Sequence, residues 1–378
     1  MHNDKLLFTP GPLTTSATVK AAMQHDAGSR DREFIAIVRD IRRRLLALGG
    51  AASAAEGGDY ECVPMQGSGT YSIESVVSSV IPSDGKLLVL INGAYGRRIV
   101  QIARVHGIAI ETVEVAENEK IDPSAVARKL GDVAGVTHVA VVHCETTTGL
   151  LNPIAEIGAA VHRAGAAYFV DAMSSFGAIP VDLAAAHIDF LVSSANKCVE
   201  GVPGFGFVLA RHRHLVAAKG QARTLSLDLY AQWAGLESDG QFRFTPPTHA
   251  LLAYRQALIE LEQEGGPVGR GQRYAENHRT LIRGMASMGF EPYLHPQDQS
   301  YIITTFRYPA DPQFSFELFY EGLSDRGFII YPGKLTTEPC FRIGTIGRLA
   351  PSDIEALIEA TREVLDSMRV GIPATAAS

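Results

Sequence analysis

The sequence predicts an α/β protein in which a large domain with a mostly parallel sheet precedes a smaller α+β domain. Strand-like and helix-like segments alternate through the middle of the chain, which is typical of a parallel sheet covered by helices on both faces. The pattern changes from about residue 248, where two long amphipathic helices begin. A length of 378 residues also exceeds one typical core and favours two domains.

The elements of the large domain follow from short apolar runs and from helical spacing. Each run that we assign to a strand is only a few residues long, and the segments between them have apolar residues at helical intervals. The sequence predicts helices over 71–80, 95–105 and 154–163, and strands over 86–91, 108–115, 137–143, 166–170, 188–192 and 204–210. This order implies crossover connections between parallel strands.

The C-terminal part mixes helices and strands without regular alternation. Gly265-Gly266-Pro267 separates the two long helices and places the domain boundary near residues 265–275. Here we predict helices over 250–264, 268–288, 316–326 and 352–368, and strands over 301–306, 328–331 and 341–343. We therefore expect a large domain over 21–265, a small domain over 266–370 and a flexible tail over 371–378.

Composition and charge exclude several classes of function. Apolar residues make up 46% of the chain and charged residues 20%, and no apolar stretch is long enough to span a membrane. The first residues lack a signal-peptide core, and the four cysteines lack metal-binding spacing or a disulfide framework, so we expect a cytoplasmic protein without a metal. A net charge of −7 argues against nucleic-acid binding, so a local basic cluster must hold any anionic substrate.

An acid and an amine each follow a predicted strand. Asp171 closes one apolar run, and Lys197 comes 26 residues later, just after the next. Ligands of open α/β sheets collect at the carboxyl ends of the strands. This pair suits pyridoxal phosphate (PLP), which needs a lysine for its aldehyde and an acid for its pyridine nitrogen. Alternatively, Lys197 is a surface lysine and Asp171 caps a turn.

Four further segments have residues that a PLP site requires. Gln66-Gly67-Ser68-Gly69-Thr70 precedes a predicted helix and could cradle a phosphate, although it could also be a helix cap and turn. A hydroxyl cluster follows the strand at 137–143, and Tyr95 could lie flat on a planar ring or fill the core. Arg342 lies inside an apolar strand, where its fork could meet an anion or an inter-domain carboxylate.

Taken together, these residues resemble the class V aminotransferases, which have the fold type I of PLP enzymes. The likeness extends from Thr9-Pro10-Gly11-Pro12 to the strand of Arg342. Four segments carry a closer match: Leu7-Phe8-Thr9-Pro10-Gly11-Pro12-Leu13, Gly28-Ser29-Arg30-Asp31-Arg32-Glu33-Phe34, His143-Cys144-Glu145-Thr146-Thr147-Thr148-Gly149 and Ser193-Ser194-Ala195-Asn196-Lys197-Cys198. The resemblance implies a seven-stranded, mostly parallel sheet in the large domain, with residues 1–20 packed near the small domain.

The resemblance also implies roles for individual residues. Lys197 would bond to the cofactor aldehyde and move the substrate proton, and Asp171 would pair with the pyridine nitrogen. Thr245 would reach the cofactor phosphate of a neighbouring subunit, which makes the active unit a homodimer. The remaining cofactor contacts would come from Ser68, Gly69, Thr70, Tyr95, Thr146, Met173 and Asn196. Arg342 would bind the acid group of the substrate, with Arg30 as a helper.

The closer likeness is to the members that transfer the amino group of 2-aminoethylphosphonate to pyruvate. Three rival hypotheses remain open. The chain could use alanine or serine with glyoxylate, or it could be a PLP lyase or desulfurase with a reactive cysteine. We expect Cys198 to pack rather than react, since a chain neighbour of Lys197 points elsewhere. The third rival is a catalytically silent PLP-binding regulatory protein.

Overall fold

The computed structural model describes residues 4–336 and 338–371. A seven-stranded sheet forms its centre, with the strands in the spatial order Tyr60–Gln66, Phe205–Arg211, Phe190–Ser194, Ala167–Asp171, Val136–Val142, Lys86–Ile91 and Ala109–Glu114. Phe205–Arg211 runs antiparallel to both of its neighbours, and the other adjacent pairs are parallel. The predicted α/β class, with its mostly parallel sheet, is confirmed.

The strand before Lys197 differs in extent from the prediction. The predicted strand covered 188–192, whereas the observed strand is Phe190–Ser194. Serine has a low preference for strands, but Ser193 and Ser194 pair with the neighbouring antiparallel strand, and this ladder overrides the local preference. The strand therefore delivers Lys197 three residues beyond its end, at the carboxyl edge of the sheet.

Several elements of the large domain were missed. The strand Tyr60–Gln66 contains Pro64, which argues against a strand by sequence alone. This strand lies at the edge of the sheet, however, where a residue without an N–H is tolerated. The helices missed are Ala17–Ala21, Arg32–Leu48, Pro123–Asp132, His212–Ala217 and Leu229–Ser238.

The predicted helices of the large domain are confirmed within two residues as Gly69–Val80, Ala94–Val105 and Ile154–Arg163. Short 3-10 turns occur at Ala22–Gln24 and Ala54–Glu56, and Cys144–Glu145 pairs with Leu150–Leu151 in a small hairpin. A large cluster of buried aliphatic and aromatic side chains packs between the helices and the sheet.

The C-terminal part has its own sheet and its own core. Strand Cys340–Gly344 lies between Ile303–Arg307 and Tyr331–Pro332, and Phe290, Phe306, Phe319 and Phe341 pack in the core beside it. Its helices are Gly266–Ser287, Phe316–Asp325 and Pro351–Met368, whereas the preceding helix Thr248–Gln263 packs into the core beside the seven-stranded sheet. The domain limits remain a prediction, and positions 372–378 of the predicted tail lie outside the described residues.

The N-terminal segment joins the C-terminal part. Leu6–Leu7 pairs in parallel with Phe328–Ile329, and Gly344 N donates to Phe8 O at 3.0 Å. Residues 9–11 then lead to the edge of the large sheet. In the described part of the chain, no helix has the length and apolarity to cross a membrane, and no group of His, Cys, Asp and Glu could hold a metal.

Candidate active site

One pocket lies at the carboxyl ends of the central strands. It brings together eight residues that sequence analysis proposed as cofactor contacts: Ser68, Gly69, Thr70, Tyr95, Asp171, Met173, Asn196 and Lys197. Ile73, Arg98, Ile99 and Ser194 complete the lining. The parallel strands bring these residues to one edge of the sheet from widely separated parts of the sequence.

Lys197 approaches the pocket from beneath the N-terminal segment. Its Nζ donates to Pro10 O at 2.6 Å. Burial lowers the pKa of the ammonium, with Arg342 adding to the effect, while Tyr95, Cys198 and Asp171 oppose it. Gly11 has to be glycine here, because its φ is +128° and a Cβ would lie 2.8 Å from Lys197 Nζ.

Asp171 is the last residue of its strand and is 2% exposed. Burial raises the pKa of its carboxyl to about 6, although the hydrogen bond from Met173 N and the charges of Lys197 and Arg98 act to lower it. Oδ1 accepts a hydrogen bond from Met173 N at 2.9 Å. Oδ2 accepts no hydrogen bond from the described residues, so it is free to accept one from a ligand in the pocket.

A helix start forms the opposite wall of the pocket. Gly67 has φ +106°, and the N-cap residue Ser68 makes no capping bond with its hydroxyl. The N–H groups of the first helical turn have no partners within the helix, so they favour an anion. A Cβ on Gly69 would overlap Met173 Sδ, so the backbone can approach closely only at a glycine. These features fit a bound phosphate.

Sequence analysis missed Arg98, which also lines this wall. Its Nη1 donates to Thr70 Oγ1 at 3.4 Å, and its Cζ lies 4.9 Å from the centre of the Tyr95 ring. Arg98 follows Tyr95 by three residues on the same helix, so the two side chains share one face. That spacing was the available signal, and it adds a cation beside the phosphate-like cradle.

Tyr95, Thr146 and Arg342 form a second polar group beside Lys197. Arg342 is 2% exposed, and its Nη1 donates to Thr146 O at 2.7 Å. Burial by itself would raise the pKa of Tyr95, but the interaction with the Thr146 side chain and the charges of Lys197, Lys334 and Arg342 lower it. Burial lowers the pKa of Arg342 itself.

Glu145 is a second buried carboxylate that sequence analysis left without a role. Burial raises the pKa of Glu145 to about 7, although hydrogen bonds from Gly96 N, Tyr95 N and the Thr147 hydroxyl act to lower it. Its oxygens therefore hold the first turn of the helix that carries Tyr95. Asp171, by contrast, lines the pocket and has a free oxygen, so it remains the candidate for the pyridine nitrogen.

Arg30 and Thr245 do not line the pocket of Lys197. They lie together in a separate pocket formed by residues 29–30 and 241–246. Gln66, two residues before Ser68, donates to Phe244 O at 2.8 Å and so ties this segment to the outside of the cradle. The predicted role of Thr245 involves a neighbouring subunit, whereas that of Arg30 does not, and both roles remain predictions.

The site as a whole has the functional groups that PLP binding requires. It offers an amine with a lowered pKa, a buried carboxylate with a free oxygen, a glycine-lined helix start and a neighbouring arginine. The family of class V aminotransferases matches residues 14–347. The chain belongs to this family, whose members depend on PLP.

Particular relatives are much closer than the family alone requires. The 2-aminoethylphosphonate–pyruvate transaminase of Salmonella schwarzengrund (strain CVM19633) is 51% identical over 362 residues, covering 95% of this chain and 97% of that protein. The protein of the same name from Salmonella heidelberg (strain SL476) is 50% identical over 366 residues, covering 96% and 98%.

Solved structures support the same fold. Ureidoglycine–glyoxylate aminotransferase from Bacillus subtilis has a TM-score of 0.89 at 23% identity, over 99% of this chain and 96% of that one. Pyridoxamine–pyruvate aminotransferase from Mesorhizobium loti has a TM-score of 0.88 at 24% identity, over 99% and 95%. At such identities the likeness concerns the fold alone.

Proposed function

We propose that this chain transfers the amino group of 2-aminoethylphosphonate to pyruvate and releases phosphonoacetaldehyde and L-alanine. The observation that carries the proposal is the 51% identity, over nearly the whole chain, with transaminases of that name. The pocket of Lys197 supplies residues suited to this chemistry. The proposal places the protein in the breakdown of an organophosphonate.

Lys197 is the proposed catalytic amine. Bound PLP supplies an electron sink for the carbon that carries the amino group. Because burial lowers its pKa, Lys197 spends more time as a neutral amine than a solvent-exposed lysine does. With the substrate amine bound to the cofactor in place of the lysine, Lys197 Nζ would remove the proton from the amine-bearing carbon of the substrate. It would later return that proton to the carbon of the cofactor that had carried the aldehyde.

Asp171 is the proposed partner of the pyridine nitrogen. Its free oxygen would accept the ring N–H, which keeps that nitrogen protonated. A positive ring nitrogen would also favour the charged carboxylate and lower its pKa from the raised value that burial causes. Ser68, Gly69, Thr70 and Arg98 would hold the phosphate, and Tyr95 would stack on the ring.

Arg342 is the proposed ligand of the substrate acid group. Pyruvate presents a carboxylate and the donor presents a phosphonate, so the same cation must serve two anions. The guanidinium is buried and oriented by backbone carbonyls, which suits repeated recognition of a planar or tetrahedral anion.

A cofactor spectrum tests the proposal directly. Purified protein should show the absorption band of bound PLP, and 2-aminoethylphosphonate without pyruvate should convert it to the pyridoxamine form. The rates of this half-reaction with alanine and serine separate the proposed donor from those of alanine– or serine–glyoxylate aminotransferases. Faster conversion by either amino acid would contradict the proposal, and no conversion by any amine would favour the silent regulatory protein.

We propose a homodimer as the active unit, with Thr245 of each subunit serving its neighbour. Light scattering gives the mass, and subunit mixing tests the shared site. Thr245→Ala and Lys197→Ala homodimers should each lose activity. Equal mixing with exchange should restore about a quarter of it, since half of the dimers then carry one intact site. No restoration despite exchange would contradict the sharing.

We also propose a cytoplasmic location. All four cysteines are free and buried in the structure, which suits a reducing compartment. Cell fractionation with a marker of the cytoplasm measures the location, and recovery from another compartment would contradict it.

A further inference from the structure

Besides Arg98, which lines the phosphate-like cradle, two further cations near Tyr95 lack the anionic partner that buried charges normally have. Arg342 is buried next to Tyr95 and Lys197, and Lys334 is partly buried beside Tyr95. Neither forms an ion pair with a carboxylate in the described ranges 4–336 and 338–371. The arrangement therefore suits an anion that the protein itself does not supply.

Arg342 is oriented but not saturated. Its Nε donates to Pro332 O at 2.9 Å and its Nη1 to Thr146 O at 2.7 Å. These two hydrogen bonds use two of the five N–H donors of the guanidinium and leave the others available to Tyr95 and to a ligand. One guanidinium matches the single charge of a carboxylate, whereas a phosphonate has three oxygens and up to two negative charges.

Lys334 is held over the same ring. Its Nζ lies 4.8 Å from the centre of the Tyr95 ring. On one side of Lys334, Gly333 packs so closely on Cys340 that a side chain would overlap it. On the other side, Thr336 N donates to Glu117 Oε2 at 3.3 Å, and Glu117 pairs with Arg97 of the large domain. The segment is thus anchored at both ends.

We propose that Lys334, which lies over the Tyr95 ring, is the second cation for the phosphonate beside the buried fork of Arg342. This inference rests on the proposed donor and replaces Arg30 as the helper, since Arg30 is exposed and lines a different pocket. A compact ammonium adds a second charge and three donors to an oxygen-rich, dianionic group. Lys334 therefore contributes more to phosphonate binding than to carboxylate binding.

The test compares two ligands that lack an amine and cannot react. Dissociation constants of ethylphosphonate and propionate are measured by calorimetry on the PLP-loaded enzyme, for wild type and Lys334→Met. We expect about tenfold or greater weakening for ethylphosphonate and less than about threefold for propionate. In the half-reactions, KM for 2-aminoethylphosphonate should rise more than KM for alanine.

Matched variants decide the outcome. Lys334→Arg should keep most of the phosphonate affinity, and Lys219→Met should change nothing, although Lys219 also lies over a tyrosine ring, that of Tyr230. Equal effects on both ligands, no effect of Lys334→Met, or a selective loss in Arg30→Met instead would overturn the inference. If wild type fails to convert 2-aminoethylphosphonate, the proposed function fails, while the two-ligand comparison still reports on Lys334.

Discussion

The carboxyl in the pocket of Lys197 and the carboxylates packed behind that lysine differ in the number of charged partners they have. In front, Asp171 lines the pocket with one free oxygen, and burial raises its pKa. Behind, two carboxylates and two arginines pair closely: Glu200, Glu264, Arg270 and Arg273. Burial alone therefore does not determine the pKa shift of a carboxyl group. The number of opposite charges close to the group decides whether its pKa is raised or lowered.

The pairing behind Lys197 is dense. Glu200 Oε1 accepts hydrogen bonds from Tyr274 at 2.6 Å and from Arg273 at 2.7 Å, and Arg270 Nε donates to Glu264 at 2.6 Å. Burial by itself would raise the pKa of Glu264, but Arg273 and Arg270 hold it below its usual range. The same pairing raises the pKa of Arg273 although burial opposes it.

This network also fixes the segment that carries the lysine. Arg270 Nη1 donates to Cys198 O at 2.7 Å, and Glu200 N donates to Lys197 O at 2.7 Å. Glu200 has φ +66°, a left-handed conformation that costs free energy in a residue with a side chain. The ion pairs hold Glu200 in that conformation, so the rear network positions the front amine.

The largest expected effect comes from removing the front amine. Lys197→Ala should reduce turnover by roughly a thousandfold or more, because it removes the amine that moves the proton. The donor should then no longer convert the cofactor to the pyridoxamine form. Lys219→Ala, which removes a lysine from a distant surface, should keep wild-type kinetics, and substantial turnover of Lys197→Ala would refute the assignment.

The next effect concerns stability and the rear network. Arg270→Met leaves Glu200 and Glu264 short of a partner in a buried site, so we expect unfolding to become easier by about 3–5 kcal/mol. Thermal or urea unfolding measures this loss. The control is Arg362→Met, which breaks the exposed pair with Glu359 and should cost at most about 1 kcal/mol. Similar losses of stability in the two variants would show that the buried ion pairs of Arg270 stabilise the fold no more than an exposed ion pair does.

Asp171→Asn should separate stability from activity. The pKa of about 6 in the folded protein exceeds the ordinary aspartate value of 3.8. The charged carboxylate therefore opposes folding above pH 6, and this cost disappears as pH falls through 6 towards 4. In the cofactor-free protein, the asparagine variant should therefore unfold less readily at pH 8, by up to about 3 kcal/mol, and gain nothing below pH 4.

The same variant should lose activity by roughly a hundredfold or more, because a neutral amide does not keep the ring nitrogen protonated. Urea unfolding at pH 4, 6 and 8 and steady-state kinetics measure the two effects. A variant that is less stable than wild type at pH 8 would show that Asp171 is paired rather than poised for a ligand.

The smallest effect is expected for Cys198→Ala. Cys198 is fully buried, its Sγ donates to Ser174 O at 3.1 Å, and burial raises the pKa of the thiol. A protonated, enclosed thiol is a poor nucleophile, so kcat/KM should change less than about twofold. Loss of activity in a correctly folded variant would revive the lyase or desulfurase hypothesis.

Sequence reasoning found the residues that chain position determines. Asp171 and Lys197 could be placed because each follows a strand, and Ser68 to Thr70 because they begin a helix after glycine. Arg98, Glu145 and Lys334 escaped because their importance depends on which side chains the fold brings beside Tyr95. The rear network escaped for the same reason, since Glu200 and Arg270 are far apart in sequence. Thr245 and Arg30 lie in a separate pocket, so their predicted roles remain predictions.

Pro64 affects how easily the protein can aggregate through the edge of its sheet. The strand Tyr60–Gln66 borders the sheet, and Pro64 presents no N–H there. Side chains occupy two of its carbonyls, since Arg42 Nε donates to Cys62 O at 2.7 Å and Gln232 Nε2 to Pro64 O at 3.2 Å. A foreign strand therefore finds few sites for docking along this border, and amyloid-like stacking through it is disfavoured.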